Sequence, residues 1–527
     1  MAPHCLSNSA TPTAPSTPAI PNGVSTALRS NSPHAGWVIQ KFGGTSVGKF
    51  PVQIAEEIVG MYLNNHRVAI VCSARSTDTK AEGTTNRLIA AAAEALKPGS
   101  TQYVEIVAAI QEDHVRVAKE LLRTPEIVEE LVRDIQTECV RLGALLGAAQ
   151  TLDEISPKTQ DAVIGTGEKL SCLFMTALLR DRGIDAEYVN LDHVYTHVPT
   201  PNGQGLGQTF YTTLAQNIAD RIRQCGDRIP VITGYFGVVP GSLLTSIGRG
   251  YTDLCAALLA VGLDADELQV WKEVDGIFTA DPRKVSTARL IPVITPEEAA
   301  ELTYYGSEVI HPFTMEQVIK ARIPIRIKNV ENPTGPGTMI FPDNQPRKGE
   351  ETPTQPPRHI RLARADTLLQ PLTKRPTAVT TKSGMVVLNV HSNRKSLSHG
   401  FLASIFSTLD KWQLCVDLIS TSEVHVSMAL HSEAKEPAIK MAIEELRKYG
   451  VVDVTYNLTI LSVVGKHMKR MIGIAGRMFS TLADAGVNIE MISQGASEIN
   501  ISCVIKQEDA IRAVNVLHTR LFTYQDL

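Results

Sequence analysis

The stretch "WVIQKFGGTSVGKF", residues 37 to 50, sets three glycines, two hydroxyls and two lysines around the end of an apolar run. Those residue types suit phosphate. Glycine lets backbone N–H groups approach an anion, hydroxyls donate to it, and lysine neutralises charge. Gly43 to Lys49 also fits seven of the eight positions of a P-loop. The eighth position is Phe50, where magnesium ligation needs Ser or Thr, and Pro51 disfavours a helical residue before it. No strand ending in a Walker-B aspartate stands nearby, so the P-loop reading fails. Two readings remain: a plain tight turn, or a phosphate turn of another kind. In the second, Lys41 ends a strand and points into the site, and Gly43 and Gly44 bare the backbone. Thr45 and Ser46 then open a helix whose N-terminus favours anions.

Four further stretches keep this turn company. "GRGYTDLCAALLA" (248 to 260) puts Arg249 between two glycines, with Thr252 or Asp253 as the expected cap of an apolar helix. "VIGTGEKLSC" puts Glu168 in the expected first turn of a helix, where a carboxylate also simply complements the dipole. "VWKEVDGIFTADPRKV" reads as a strand end followed by an acidic turn, and "YYGSEVIHPFT" carries Glu308 and His311. Two glycine turns at helix starts, one with an arginine and a carboxylate, suit a site that handles two anions.

Elements must hold these residues together. The apolar runs "WVIQKF", "RVAIVCSA", "IPVITGYFG", "ELQVWKEV" and "IPIRIKNV" predict strands. Between them, "QIAEEIVGMYLNN", "KLSCLFMTALLRDRG" and "TDLCAALLAVGLDA" predict helices. Such alternation from Trp37 to about residue 341 implies an α/β fold with a mainly parallel sheet between helices. Residues 342 to 382, proline-rich and aperiodic, read as a linker, and residues 1 to 36 as a disordered tail. At 527 residues, three or four domains are expected.

The C-terminal part is a repeat. "GFLASIFSTLDKWQLCVDLIS" from Gly400 aligns without gaps with "GIAGRMFSTLADAGVNIEMIS" from Gly473, 73 residues later. Each copy predicts strand, helix, strand, turn, strand: a duplicated α+β ferredoxin-like module, residues 383 to 453 and 454 to 527. A net charge of −4 leaves no broad basic face for nucleic acid. No apolar run has the length of a membrane span. Eight scattered cysteines without a C-x-x-C pair predict a reducing, cytoplasmic setting and no metal site.

Taken together, "KFGGTSVG", "VCSARSTDTKAEGTTNRL", "GEKLSC", "GRGYTDLCAALLA", "KEVDGIFTADPR" and "YGSEVIHP" resemble, in order and spacing, the aspartate kinase family of the amino-acid-kinase fold, in a fungal style. The duplicated module resembles the paired ACT domains of that family. The resemblance implies transfer of the ATP γ-phosphoryl group to the β-carboxylate of L-aspartate, with Mg²⁺ held mainly by the ATP phosphates. It assigns Lys41, Gly43, Gly44 and Thr45 to the phosphates, with Lys41 and Asp253 catalytic. Lys272, Glu273, Phe278 and Arg283 fall to the nucleotide, and Ser73, Thr85, Glu168 and Arg249 to aspartate. It places an amino-acid effector, threonine ahead of lysine, at Ser398, Gly400, Phe401, Leu402, Asp417, Ser422 and Glu423. Asn488 and Gln494 form a second site, and the ACT modules pair copies of the chain into a homo-oligomer. Lys272-Glu273 stands where many relatives carry Thr-Asp, and Glu308 where bacterial relatives often carry lysine. A kinase for another amino-acid carboxylate, or a non-catalytic amino-acid sensor, would share the fold, but Lys41, the glycine pair and Asp253 are all intact.

Overall fold

The computed structural model describes residues 28 to 523 apart from 77–82, 196–206, 238, 240–241, 244–249, 305–309, 311, 342–374, 393–399, 423, 432–435, 467, 469–470 and 496–498. Arg249, Glu308, His311, Ser398 and Glu423 lie outside the described residues, as do most of the expected tail and linker.

Eight strands build the N-terminal sheet: β1 (Trp37–Phe42), β2 (Arg67–Cys72), β3 (Ala186–Val189), β4 (Ile229–Thr233), β5 (Glu267–Lys272), β6 (Val293–Ile294), β7 (Ile325–Asn329) and β8 (Thr338–Ile340). Their order is β3-β4-β2-β1-β5-β7-β8-β6, with every pairing parallel except β7 with β8. The five runs read as strands are β1, β2, β4, β5 and β7; the shorter β3, β6 and β8 were not expected. Beside the helical run expected in "QIAEEIVGMYLNN", which forms as Pro51–Gln53, Ile54–Val59 and Gly60–Tyr62 with a π-helical middle, the helices are α1 (Gly44–Lys49), α2 (Thr84–Ala95), α3 (Gln102–Leu121), α4 (Pro125–Leu152), α5 (Pro157–Asp181), α6 (Gln208–Arg223), α7 (Tyr251–Leu263), α8 (Pro296–Tyr304) and α9 (Pro312–Lys320).

Strand residues alternate between the two faces, and both faces are buried. Val68, Ile70 and Cys72 join the core under α2 to α5, whereas Ala69 and Val71 join the core under α6 and α7. This two-sided burial is why the strands read as unbroken apolar runs. Gln40 and Gln269 sit opposite each other on β1 and β5, fully buried, and Gln40 Nε2 donates to Gln269 Oε1 at 3.1 Å. A buried amide pair of this kind favours one register, because a slip would strand both groups.

From β1 the chain runs outward one way to β2 and, later, the other way to β5 and β7. In open α/β sheets the crevice beyond the carboxyl ends of strands at such a switch point is where ligands bind. Lys41 is the penultimate residue of β1.

The C-terminal part forms a second sheet, ordered β10-β11-β9-β12-β14-β13. Its strands are β9 (Ala378–Ser392), β10 (Leu418–Thr421), β11 (His425–His431), β12 (Gly450–Val464), β13 (Met491–Ser493) and β14 (Asn500–Lys506). Its helices are α10 (Phe401–Lys411), α11 (Glu436–Leu446), α12 (Ile474–Asp484) and α13 (Ala510–His518). The duplication is visible in the backbone: α10 and α12 follow Gly400 at φ 85° and Gly473 at φ 83°. That left-handed conformation is one glycine adopts without strain. The expected borders at 382/383 and 453/454 fall inside strands. β9 and β12 are long and pair side by side, with a register shift between Thr455 and Leu458. Residues 378–382 therefore lie in β9 and pair with the part of β12 that precedes α12, while the rest of β9 pairs with β11. Two central strands shared by both modules close edges that either module alone would leave open.

Candidate active site

Lys41 reaches from the end of β1 to Asp253 in the first turn of α7, Nζ to Oδ1 2.8 Å, with both side chains more than four-fifths buried. Asp253 is not the cap of that helix, as had been expected for it or Thr252. The cap position belongs to Gly250, whose side chain supplies nothing. The two candidates are employed elsewhere: Asp253 on the lysine, and Thr252 on Glu168, Thr252 Oγ1 donating to Glu168 Oε1 at 2.6 Å.

Glu168 lies midway along α5, not in its first turn. Gly165 and Gly167 are helical rather than part of a turn. A Cβ on Gly165 would meet the Tyr235 ring at 2.6 Å, and one on Gly167 would meet Ala74 Cβ at 2.9 Å. The glycines let α5 press against the ends of β2 and β4, and that close approach carries Glu168 to Thr252. Its carboxylate is 1% exposed, and Oε2 has no hydrogen-bond partner among the described residues. Burial pushes its pKa up to about 7, against the pull of Thr252, the Tyr235 backbone, Tyr251 and Lys41. A buried carboxylate oxygen without a donor is poised for a cation brought by a ligand.

The glycine pair divides two tasks. Gly43 faces open space, the nearest atom to an added Cβ being Lys41 Nζ at 4.0 Å. Gly44 starts α1, and an added Cβ would lie 2.1 Å from the Ala74 carbonyl oxygen. Gly44→Ala should therefore cost about 1–3 kcal/mol of stability as an overpacked site with a backbone oxygen in the way. Gly43→Ala should melt within a degree or two of the unaltered chain. Equal melting temperatures for the two variants would overturn this assignment.

Thr45 follows in α1, and Ser46 Oγ donates to Glu273 Oε1 at 2.7 Å, so Glu273 braces the turn from beyond β5. Lys272 ends β5, half-buried, and Phe278 pairs with Leu290 across a short hairpin. Arg283 is exposed, its fork held by Asp281 at 3.0 Å. Ser73, half-buried, follows β2 and donates its backbone N–H to Phe42 O at 3.1 Å; Thr85 is the second residue of α2. Lys49, which a P-loop would place at the start of a helix, ends α1 and is exposed.

Two groups went unnoticed in the sequence. Arg75, 4% exposed, pairs with Asp113 and donates its backbone N–H to Ser171 Oγ at 2.7 Å, tying the β2–α2 connection to α5 one turn beyond Glu168. Lys169 pairs with Asp192 at 2.5 Å. An arginine amid the small residues of "CSARS" was the available signal for the first; Asp192 is 23 residues from its partner and gave none.

In the C-terminal sheet, Phe401 is buried at the start of α10 and Leu402 beside it is exposed. Asp417 is already paired, with Lys382 Nζ at 2.6 Å. Ser422 is exposed and donates its N–H to His425 O, Asn488 donates to Glu490 Oε1 at 3.0 Å, and Gln494 is exposed. Gly400, Asp417 and Ser422 thus occupy one module, and Asn488 and Gln494 the other. Among the described residues, no group of three or more His, Cys, Asp or Glu is placed to hold a metal ion.

The "Amino acid kinase family" matches residues 36–329, more than half of the chain, and an "ACT domain" matches residues 461–521. The sequence is 57% identical over 491 residues to the aspartokinase of Schizosaccharomyces pombe, covering 93% of this chain and 94% of that protein. It is 54% identical over 507 residues to the aspartokinase of Saccharomyces cerevisiae, covering 94% of each. Among solved structures, E. coli aspartokinase III in complex with aspartate and ADP, its R-state, superposes with a TM-score of 0.69 at 28% identity over 92% of this chain and 99% of that one. The T-state complex of the same enzyme with lysine and aspartate gives 0.70, also at 28% identity and over the same shares.

Proposed function

The chain belongs to the aspartokinase family and is an aspartate kinase, and we propose that it moves the γ-phosphoryl group of ATP to the β-carboxylate of L-aspartate, giving 4-phospho-L-aspartate, the first step towards homoserine, threonine and methionine. The observation that carries the reading is the convergence, beyond the carboxyl ends of β1, β2 and β4, of Lys41, Asp253 and a Glu168 oxygen with no donor among the described residues. A carboxylate nucleophile is ionised at neutral pH and needs no general base. The work is to bring two anions together and offset the charge that spreads over the phosphoryl oxygens. Lys41 supplies that charge at a fixed position, and Asp253 orients it. Glu168 takes the α-ammonium of aspartate, with Ser73 and Thr85 beside it and Arg249 on a carboxylate. Gly43, Gly44 and Thr45 receive the phosphates, and Lys272, Glu273, Phe278 and Arg283 the rest of the nucleotide. Magnesium enters with the ATP phosphates. The test is incubation with ATP, magnesium, aspartate and hydroxylamine. Aspartyl hydroxamate should form, and acetylglutamate should give none; the reverse would overturn the reading.

We further infer that threonine inhibits through the first ACT module, that the modules join copies of the chain into a homo-oligomer, and that the enzyme works in the cytoplasm. The S. pombe and S. cerevisiae relatives match 93% and 94% of this chain, and the E. coli relative was solved with lysine as well as aspartate. Asp417 is the charged group proposed for the ligand's ammonium, which would displace Lys382 Nζ, 2.6 Å away. Asp417→Ala should raise the threonine concentration for half-inhibition by about tenfold or more, the loss of one charge-assisted contact, with kcat within about twofold. Unchanged threonine sensitivity in a folded variant would exclude this site.

A further inference from the structure

Residues 277–291 form a hairpin that carries Phe278. Thr279 donates its N–H to Arg289 O at 2.9 Å, Ile291 donates to Ile277 O at 2.8 Å, and Phe278 and Leu290 form the bridge between them. The base of this hairpin rests on its own domain through Ile277 and Ile291, with Thr338 Oγ1 donating to Ile291 O at 2.6 Å, but its outer part does not. Ala280 and Val285 belong to the core of the second ACT module, together with Leu517, Leu521 and Phe522. At the centre of that apolar contact lies one polar ring, His518, the last residue of α13, with no exposed surface. Its Nε2 is 2.8 Å from Thr279 Oγ1 and its Nδ1 is 3.1 Å from Thr287 Oγ1, so one imidazole grips both arms.

Either neutral tautomer of the ring satisfies both hydroxyls. Thr279 Oγ1 accepts the Arg289 N–H at 3.0 Å and keeps its own proton for Nε2, one of the two tautomeric arrangements the geometry allows. In that arrangement Nδ1 carries the ring proton and donates it to Thr287; in the other, Thr287 donates to Nδ1 and Nε2 donates to Thr279. The ring is neutral in both, and burial beside Arg289 holds the His518 pKa below its ordinary value. The ring also stacks on Phe522, centroids 5.0 Å apart, and Phe522 O accepts from the Arg289 guanidinium at 3.0 Å. Asn515 Nδ2, on the same helix, donates to Lys284 O at 2.9 Å. An apolar side chain would pack such a contact without desolvating a ring, so hydrophobic burial alone does not account for a histidine here.

We propose that His518 is a positioning residue for the nucleotide: from the second ACT module it fixes the hairpin that presents Phe278 to ATP. The proposal rests on the reading of residues 272 to 283 as the nucleotide pocket. It makes the C-terminal helix part of what the kinase domain needs to bind ATP, and it gives that module a hold on the nucleotide side of the site but not on the aspartate side.

The test is steady-state kinetics on the full chain with His518→Phe, which keeps the ring's bulk and the stack on Phe522 but loses both hydrogen bonds. KM for ATP should rise about fivefold to tenfold, the loss of one to two hydrogen bonds, while KM for aspartate stays within about twofold. Thr287→Val, isosteric and milder, should shift KM for ATP alone by a smaller factor, and it serves if His518→Phe does not fold. Unchanged KM for ATP in a folded His518→Phe or Thr287→Val, or equal rises for both substrates, would overturn the proposal. Phe278→Ala separates the two readings. If it leaves KM for ATP unchanged, the pocket assignment fails. If it raises KM for ATP while the His518 and Thr287 variants do not, only the positioning role fails.

Discussion

Lys41→Ala should lower kcat by about two to four orders of magnitude, the cost of losing one preorganised charge at a transition state in which negative charge spreads over the phosphoryl oxygens. The geometry enlarges the effect. Removing the ammonium leaves Asp253 unpaired in a site where its partner lay 2.8 Å away, and an uncompensated carboxylate repels the phosphates. Lys41→Arg keeps the charge, but its planar fork replaces a point charge, so only partial activity should return. Lys49→Ala should fall within about threefold of the unaltered enzyme, because Lys49 is exposed at the far end of α1. Rates at saturating ATP and aspartate, with a melting curve for each variant, decide the matter. A larger loss at Lys49 than at Lys41, both folded, would reverse the assignment of the glycine turn.

The second large effect is at Glu168. Glu168→Gln preserves shape and the hydrogen bond from Thr252 but removes the charge. KM for aspartate should rise about tenfold to a hundredfold, the range for a charge-assisted hydrogen bond, with KM for ATP within about threefold. The pH profile carries an independent signature. With its pKa raised to about 7 by burial, the unliganded carboxyl is about half protonated at neutral pH. An ammonium needs the ionised form, so kcat/KM for aspartate should climb as pH rises from 6 to 8, and Glu168→Gln should flatten that limb. Stability runs the other way. The folded pKa exceeds the unfolded value of 4.5, so the stability that Glu168 contributes is fully present below about pH 4.5 and lost as pH rises through 7. Above that pH the ionised, buried group costs up to about 3 kcal/mol relative to a neutral one. Glu168→Gln should therefore melt higher than the unaltered chain at pH 8, and the gap should close towards pH 5. A variant that lost affinity for ATP and aspartate equally, with an unchanged pH profile, would show Glu168 to be structural.

These expectations trace to a sequence in which some features were legible and others were not. The β1 strand, the helix after Gly44 and the duplication at 73 residues follow from local rules: two-sided burial makes a continuous apolar run, and a left-handed residue before each of α10 and α12 calls for glycine. "VIGTGEKLSC" misled for a physical reason. Glycines usually mark turns, yet Gly165 and Gly167 sit inside α5 because Tyr235, Ala74 and Leu88 press against it, and those partners are remote in the chain. Thr252 and Asp253 looked like caps because a local rule names them so, while their partners, Glu168 and Lys41, arrive from 84 and 212 residues away.

By itself the sequence determined the five longer strands of the first sheet, the repeat and the family, because each depends on periodicity or on residues close together in the chain. The tertiary structure alone decided that a Glu168 oxygen is left without a donor among the described residues, that Lys382 already holds Asp417, that β9 and β12 are shared between the modules, and that His518 bridges Thr279 and Thr287. Each of these depends on which distant surfaces pack together. Desolvation, ion pairing and strand sharing arise only when that packing excludes water, and no local pattern of residues encodes it.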